Sequence, residues 1–447
     1  MEDVRWKMVD VLKNSVFTVT LWLIFFSSIN ITYSQAIDSL ISEMVNNNSQ
    51  LHAYQYKIKS AELNAKSVNN LPPPTIGVEF AQVPIEEINI WDKALSQNFF
   101  ISQMFPIGGK PSAMYDAELK KSDLAKDEYN TLKISLIYKL KSMYYSIGTM
   151  QEKLKVMNRY KEILEQLYQS ALIKFETGYL KQSDLLMIKS DVELYSLKIE
   201  SMRTELNSDY LMINYLLGRN STSEKVRIEF NQLTDADLVK AKEMINNFTY
   251  SSPVLNRMKN MQSMTELEIN ANNKELIPDL MLQGMIMRMP RGMLLTSQSD
   301  LHMAGSENKV EVMYGLMASI TLPFAPWSSG KYSYRVEELK VKIMEIESER
   351  INMEKEINAD LNSRLLKLQF AMRQNGILKN VRDNYFLNSF DALLSEFMSS
   401  GTGLDKYFSN INMTLMNLMD NYDSYYQSLL SLAEIEFLTG YYTEEIK

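Results

Sequence analysis

The side chains best suited to chemistry in this 447-residue chain are four methionines, Met281, Met285, Met287 and Met289, which share one parity within a strand-like segment. Their thioethers are soft, neutral ligands of the kind preferred by Cu(I) and Ag(I), so a row of them facing a lumen would offer successive contacts to such ions. Methionine is also an ordinary flexible filler. With 30 methionines in the chain, the row does not by itself make a metal site. The rest of the inventory is poor. His52 and His302 stand alone, no H-E-x-x-H or nucleophile elbow is present, and the carboxylates are spread along helix-like stretches. Gly108-Gly109-Lys110 lacks the earlier glycine and the following Ser or Thr of a phosphate loop. The lack of cysteine excludes disulfides, thiolate metal sites, thiol catalysis and lipidation on cysteine. We therefore expect no catalytic residues, no cofactor and no enzyme.

If the chain does no chemistry, its elements must do something mechanical or conductive. A net charge of -8 argues against nucleic acid as a partner, because phosphates call for a basic face. Arg5, Lys7 and Lys13 precede an apolar run from Val16 to Ile29, with Thr32 and Ser34 small and two apart. That is the layout of a secretory signal peptide over 1–34, and its apolar run is short for an uncleaved anchor. Beyond it, no segment has the roughly 18 uninterrupted apolar residues of a spanning helix. A membrane-embedded part would have to be built of strands.

The remaining sequence reads as one plan written twice, first over 35–250 and again over 251–447, with the seam near Phe248 to Pro253. Each half has a proline entry, strand-like alternation, a proline hand-over, a long helical stretch, a glycine break and a closing Leu-(Leu/Thr)-Gly. The expected strands lie at about 75–105 and 279–322, and the helices at about 112–217 and 334–438. In the first long stretch Leu136, Leu140, Met143, Ile147, Met150, Leu154 and Met157 alternate steps of four and three, then continue through Leu164, Tyr168, Ala171 and Phe175 with Lys161 interrupting. The pattern resumes from Leu185 to Leu206, and again from Phe408 to Leu432. Such a seam specifies coiled-coil packing against equally long partners. In the matching helix of the second half, Arg364 and Asn375 fall on expected apolar positions.

The strands alternate differently. Val310, Val312, Tyr314, Leu316, Ala318 and Ile320 form one face of the fourth, and Leu280, Leu282 and Ile286 one face of the third. One apolar and one mixed face suit a barrel wall between lipid and water. Four strands are too few to close a membrane barrel, so closure needs several chains. Pro84 to Ala94 and Pro290 to Asn308 read as exposed loops. Pro106 and Pro323 stand at the strand-to-helix hand-overs, where a missing N–H is tolerated in a first helical turn.

The duplication, the hand-over Phe105-Pro106-Ile107-Gly108-Gly109-Lys110, the break Phe175-Glu176-Thr177-Gly178 followed by Gln182-Ser183-Asp184-Leu185-Leu186, and the closing Tyr215-Leu216-Leu217-Gly218 resemble the TolC-like outer-membrane efflux family. The hand-over is similar to that of its heavy-metal-efflux branch. The resemblance implies a mainly helical, internally duplicated protein whose long coiled-coil helices form a periplasmic tunnel, with four strands per chain contributing to a trimeric β-barrel in the outer membrane. It implies a passive exit duct that docks on a periplasmic adaptor (membrane fusion) protein and an inner-membrane pump of the RND or ABC type. Gly178, Gly401, Thr402 and Gly403 would be tip turns or hinges. Asp184 would face the tip lumen as a ring of three carboxylates, able to bind cations. Asp405 would be the second constriction candidate, although it follows Gly401 more closely than Asp184 follows Gly178. Apart from the resemblance, a secreted coiled-coil scaffold or adaptor accounts for the helices and signal, and a pore-forming toxin for helices and strands. A duct would fractionate with outer membranes as a detergent-resistant trimer and lyse nothing.

Overall fold

In a computed structural model of the chain, the described residues are 37–83, 85, 89–219, 228, 233–289, 310–381, 392, 395 and 404–443. The leader, His302, the loop 290–308 and the turn residues Gly401, Thr402 and Gly403 lie outside them, as does the side chain of Asp405. In chain order the elements are α1 (37–47), α2 (Ser49–Val68), β1 (Thr75–Ala81), α3 (Ile90–Lys93), β2 (Ser96–Pro106), α4 (Lys110–Glu176), α5 (Gln182–Leu216), α6 (Asp235–Ser251), α7 (Pro253–Lys274), β3 (Asp279–Met289), β4 (Glu311–Ile320), α8 (Ser329–Val381) and α9 (Leu404–Thr439), with a final 3₁₀ turn at Tyr441–Thr443. None of the described helices is long and apolar enough to cross a membrane.

The described residues divide into two compact units, and each draws on both halves of the sequence: Met1–Tyr54, Asp127–Asn256 and Asn352–Lys447 in one, Gln55–Lys126 and Arg257–Ile351 in the other. The first is helical. One of its cores joins Leu154, Met157, Leu164, Leu167 and Ala171 of α4 with Leu185, Ile188 and Ile199 of α5 and Phe408, Ile411 and Leu415 of α9. All but Leu167 are positions of the three periodic seams; the buried member near the interruption is Tyr160, not Lys161, and Phe175, expected to end the first seam, is exposed. A second core brings α1 into contact with Leu136, Leu140 and Ile147 of α4 and with Ile213 and Leu216 of α5. A third packs Ala241, Met244 and Phe248 of α6 on Leu361 and Leu368 of α8 and Ile435 of α9. The two polar residues on the α8 seam meet polar partners: Arg364 ion-pairs Glu434 at 2.8 Å, and Asn421 donates to the Asn375 side-chain oxygen at 3.1 Å.

Both halves close in the same way. Gly218 and Gly440 each have φ near +71°, beyond the ends of α5 and α9. A Cβ on Gly218 would lie 2.7 Å from the Asn47 carbonyl, and one on Gly440 would lie 2.6 Å from the Ser251 carbonyl. Each glycine thus supplies both the left-handed turn and the space for a break between two helices, α1/α2 in one case and α6/α7 in the other.

The second unit contains the sheet, an antiparallel set in the order β1-β2-β3-β4. Its helical segments bury small side chains, among them Ala65, Ala113, Ala117, Ser122, Ala125 and Thr265. Two expectations are corrected here. Pro106 is the last residue of β2 and Pro323 follows β4, so neither occupies the first turn of a helix; α4 begins at Lys110 and α8 at Ser329. The loop after β1 is not wholly irregular, since Ile90–Lys93 forms one helical turn.

Candidate functional site

Strand register sorts the sheet into two faces, because directly opposed residues project to the same side. Val78 opposes Phe99, Phe99 opposes Ile286, and Ile286 opposes Tyr314. That face also carries Ile76, Ile101, Leu282, Val312, Leu316 and Ile320, and it is bare: Ile76 is 77% exposed, Tyr314 87% and Leu316 86%. Three of its strands are long enough to span a bilayer, with 11 residues in β2 and β3 and 10 in β4, while β1 has 7. Exposed aromatic residues flank it at both ends. Trp91 packs edge-on against Phe80 near the β1–β2 loop, while Phe324 and Trp327 follow β4. Near the loop end, Arg288 donates to Gln97 at 3.0 Å.

The opposite face is polar and sulfur-rich. Asn98 donates to Glu79 at 3.0 Å, and Ser102 opposes Gln283. Met281, Met285, Met287 and Met289 all lie on this face, each half-buried. The sequence row therefore stands opposite the bare apolar face.

At the hand-over, Gly108 and Gly109 have φ of +72° and +77°, turning the chain from β2 into α4. A side chain on Gly108 would run into Ile277. Lys110 is buried, with Nζ 2.7 Å from Asp279 Oδ1 and 3.8 Å from Glu275 Oε2. Since Asp279 pairs with Pro106 in the sheet, this lysine ties the first hand-over to the start of β3. Sequence reasoning set the Gly-Gly-Lys run aside as a failed phosphate loop; the lysine's burial and carboxylate partners give it a structural role.

Gly178 terminates α4 with φ +79°, its N–H bonded to the Phe175 carbonyl and the Tyr179 N–H to that of Lys174. This is the Schellman arrangement, which satisfies the last helical carbonyls. Asp184 sits half-buried in the first turn of α5, where its Oδ1 accepts from the Ser183 hydroxyl at 3.1 Å. A carboxylate there also complements the helix dipole. His52 lies on α2, its Nε2 2.9 Å from the Asn46 carbonyl oxygen.

One polar cluster was not read from the sequence. Lys141 of α4 is buried with Glu436 of α9 at 2.6 Å and also reaches the Tyr442 hydroxyl. Burial pushes the Lys141 ammonium down, but Glu436 and Tyr145 together carry its pKa above the ordinary lysine value. Burial, aided by Glu434, pushes Tyr138 up to about 12. The cluster holds α4, α9 and the final turn in register; its members are about 300 residues apart, so no local pattern could announce them.

The sequence profile of the family described as outer membrane efflux protein matches residues 40–219. That match spans 180 of the chain's 447 residues. The matched segment runs from α1 to the closing Gly218 and beyond it by one residue, and includes β1, β2 and the first hand-over. The fold of nearly the whole chain is that of solved outer-membrane channels. The outer-membrane channel OprN superposes with a TM-score of 0.69 at 12% identity, covering 91% of this chain and 90% of that one. The CmeC outer membrane channel of Campylobacter jejuni gives 0.69 at 12%, covering 91% and 86%. The outer membrane protein VceC of Vibrio cholerae gives 0.68 at 11%, covering 90% and 96%. No curated relative matches the sequence. Efflux proteins of this family are channels that work in tripartite systems with an adaptor and an inner-membrane pump, and the family is not one of enzymes.

Proposed function

We propose that the chain is the outer-membrane exit duct of a tripartite efflux or secretion system, a homotrimer in which each copy lends four strands to one barrel. The observation that carries this reading is the sheet's mainly apolar, bare face, backed by a polar face and flanked by exposed aromatics. In water such a face would be an aggregation surface; against hydrocarbon it is at rest. The Met281 to Met289 side then lines the lumen. The long helices extend into the periplasm, where α4 alone would reach about 100 Å at 1.5 Å per residue. The turn at Gly178 and its second-half counterpart at Gly401 to Gly403 form the tip, with Asp184 and Asp405 as constriction candidates. The duct supplies no energy; drugs, metal ions or other substrates are driven by the pump and handed over through the adaptor.

Single-channel conductance of the purified protein in a planar bilayer, with its mass measured in detergent, tests this reading. A trimer with small conductance blocked by divalent cations from the periplasmic side is expected, and Asp184→Ala should weaken that block. A monomer without conductance would sink the duct. Unchanged block in Asp184→Ala would remove Asp184 from the pore while leaving the duct standing.

A further inference from the structure

The described strands contain seven methionines: Met104 in β2, Met281, Met285, Met287 and Met289 in β3, and Met313 and Met317 in β4. Register puts all seven on the polar face. Met104 opposes Met281, Met287 opposes Met313, and Met317 opposes Gln283, which shares its side with Met281 and Met285. The other face, mainly Ile, Val, Leu, Phe and Tyr with Gln97, Gln103 and Arg288 among them, has none.

Packing does not account for this segregation. Methionine used as apolar filler would appear where apolar area is buried or faces lipid, and strands otherwise favour β-branched and aromatic residues. Here the thioethers stand among Asn98, Ser102, Gln283 and Ser319, with Phe100 opposite Met285 as the one aromatic residue of this face in the described strands, while the other lipid-type residues occupy the other side.

Their spacing makes them contiguous. Directly opposed pairs have Cβ atoms about 5 Å apart, and diagonal neighbours lie within about 7–8 Å, a gap that two long methionine side chains can close. Met285 opposes Gly315, and a Cβ at that glycine would lie 3.0 Å from Met285 Cγ and 3.3 Å from its sulfur. The glycine therefore lets Met285 lie over β4 between Met313 and Met317, which remain 41% and 40% exposed. The run from Met281 to Met289 covers about 26 Å at roughly 3.3 Å per residue, close to the height of a membrane barrel's apolar band. The charged residues that register places on this face are all acidic, Glu79, Asp279 and Glu311, and the strands' one basic residue, Arg288, lies on the opposite face.

We infer that this face is a thioether ladder that binds a soft monovalent metal ion, Cu(I) or Ag(I), centred on Met285, Met287, Met313 and Met317. Thioether sulfur is neutral and polarizable, so it selects soft cations over Na⁺, K⁺ and Mg²⁺. Multiple equivalent sites along one track suit passage as well as capture, because an ion held at one level can be passed to the next. The inference deepens the duct reading, on which the water-facing placement of the ladder rests.

The test uses the full-length protein in detergent with silver nitrate in chloride-free buffer. Silver bound per chain is measured by equilibrium dialysis, and the first shell by X-ray absorption. Wild type should hold silver on sulfur. Replacing the four with leucine (Met285→Leu, Met287→Leu, Met313→Leu, Met317→Leu) conserves apolar volume and should weaken binding by at least about tenfold. Met344→Leu with Met416→Leu, on exposed helix surfaces, should not. A nitrogen- or oxygen-only shell in wild type, or unchanged affinity in the leucine variant, overturns the ladder. Should the fourfold variant fail to assemble, the Met287→Leu/Met313→Leu pair and the wild-type absorption spectrum decide. Conductance of the same preparations separates the two readings: a conducting trimer that takes up no silver loses the ladder and keeps the duct, whereas silver held on sulfur by a non-conducting protein keeps the ladder and loses the duct.

Discussion

In the helical unit Ile137, Leu140 and Leu164 are sealed from solvent, whereas in the sheet Leu316 and Tyr314 are almost wholly bare. The two regions draw on the same kinds of apolar residue and differ in what covers them. Coiled-coil helices repeat their apolar positions every 3.5 residues and bury them on one another. A single four-stranded antiparallel sheet has two faces, and nothing from its own strands can cover either. The difference teaches that apolar content does not reveal the environment of a segment. The coherence of one face, set against a polar partner face, does.

The largest effect expected lies in the helical unit. Glu436→Ala leaves the buried Lys141 ammonium without its carboxylate, and removing one partner of a buried pair costs about 3–5 kcal/mol. Denaturant unfolding would show the loss. The pH dependence has a definite sign: because the folded-state pKa of Lys141 is raised, its contribution is full below the ordinary lysine value and is lost as pH rises through the raised one. A Lys141→Met variant should lack that loss at high pH.

Leu164→Ala, at a fully buried α4 position, should cost about 2–5 kcal/mol through lost transfer energy and the cavity left behind. A loss well under that range would mean the seam is loosely packed. Leu316→Arg probes the sheet. Near the midplane of a lipid-facing strand an arginine costs about 2–4 kcal/mol, so refolding into bilayers should be impaired, while Gln283→Arg on the other face should be tolerated. Equal sensitivity of the two faces would break the comparison. The smallest effect is expected for Leu316→Ala, within about 0.5 kcal/mol because the side chain is almost wholly exposed on the sheet. The same substitution is costly in one unit and nearly silent in the other.

Much of this arrangement was legible in the residues. The seams through Leu140, Leu164, Ile188 and Ile411 follow from spacing alone, as do the two faces of β3 and β4. The left-handed glycines at 178, 218 and 440 were legible as breaks, since few other residues tolerate that conformation. The helices α1, α2, α6 and α7 were missed. α2 and α7 pack partly through small residues such as Ala65 and Thr265, which carry no apolar period. For α6 a signal existed: the Thr234 N–H donates to Asp237 at 2.8 Å, the reach-back of a capping box that T-x-x-D announces.

Local pattern thus determined the helices with a clear apolar period, the strands, their turns and the alternation of lipid-type and polar residues, because each depends on neighbours a few positions apart. Tertiary structure decided the rest. It set Tyr160 rather than Lys161 in the α4 core, joined Lys110 to Asp279 and Lys141 to Glu436, and gathered methionines of three strands onto one face. Those choices depend on register between segments from about 26 to about 300 residues apart, and burial or charge pairing is defined only once that register exists.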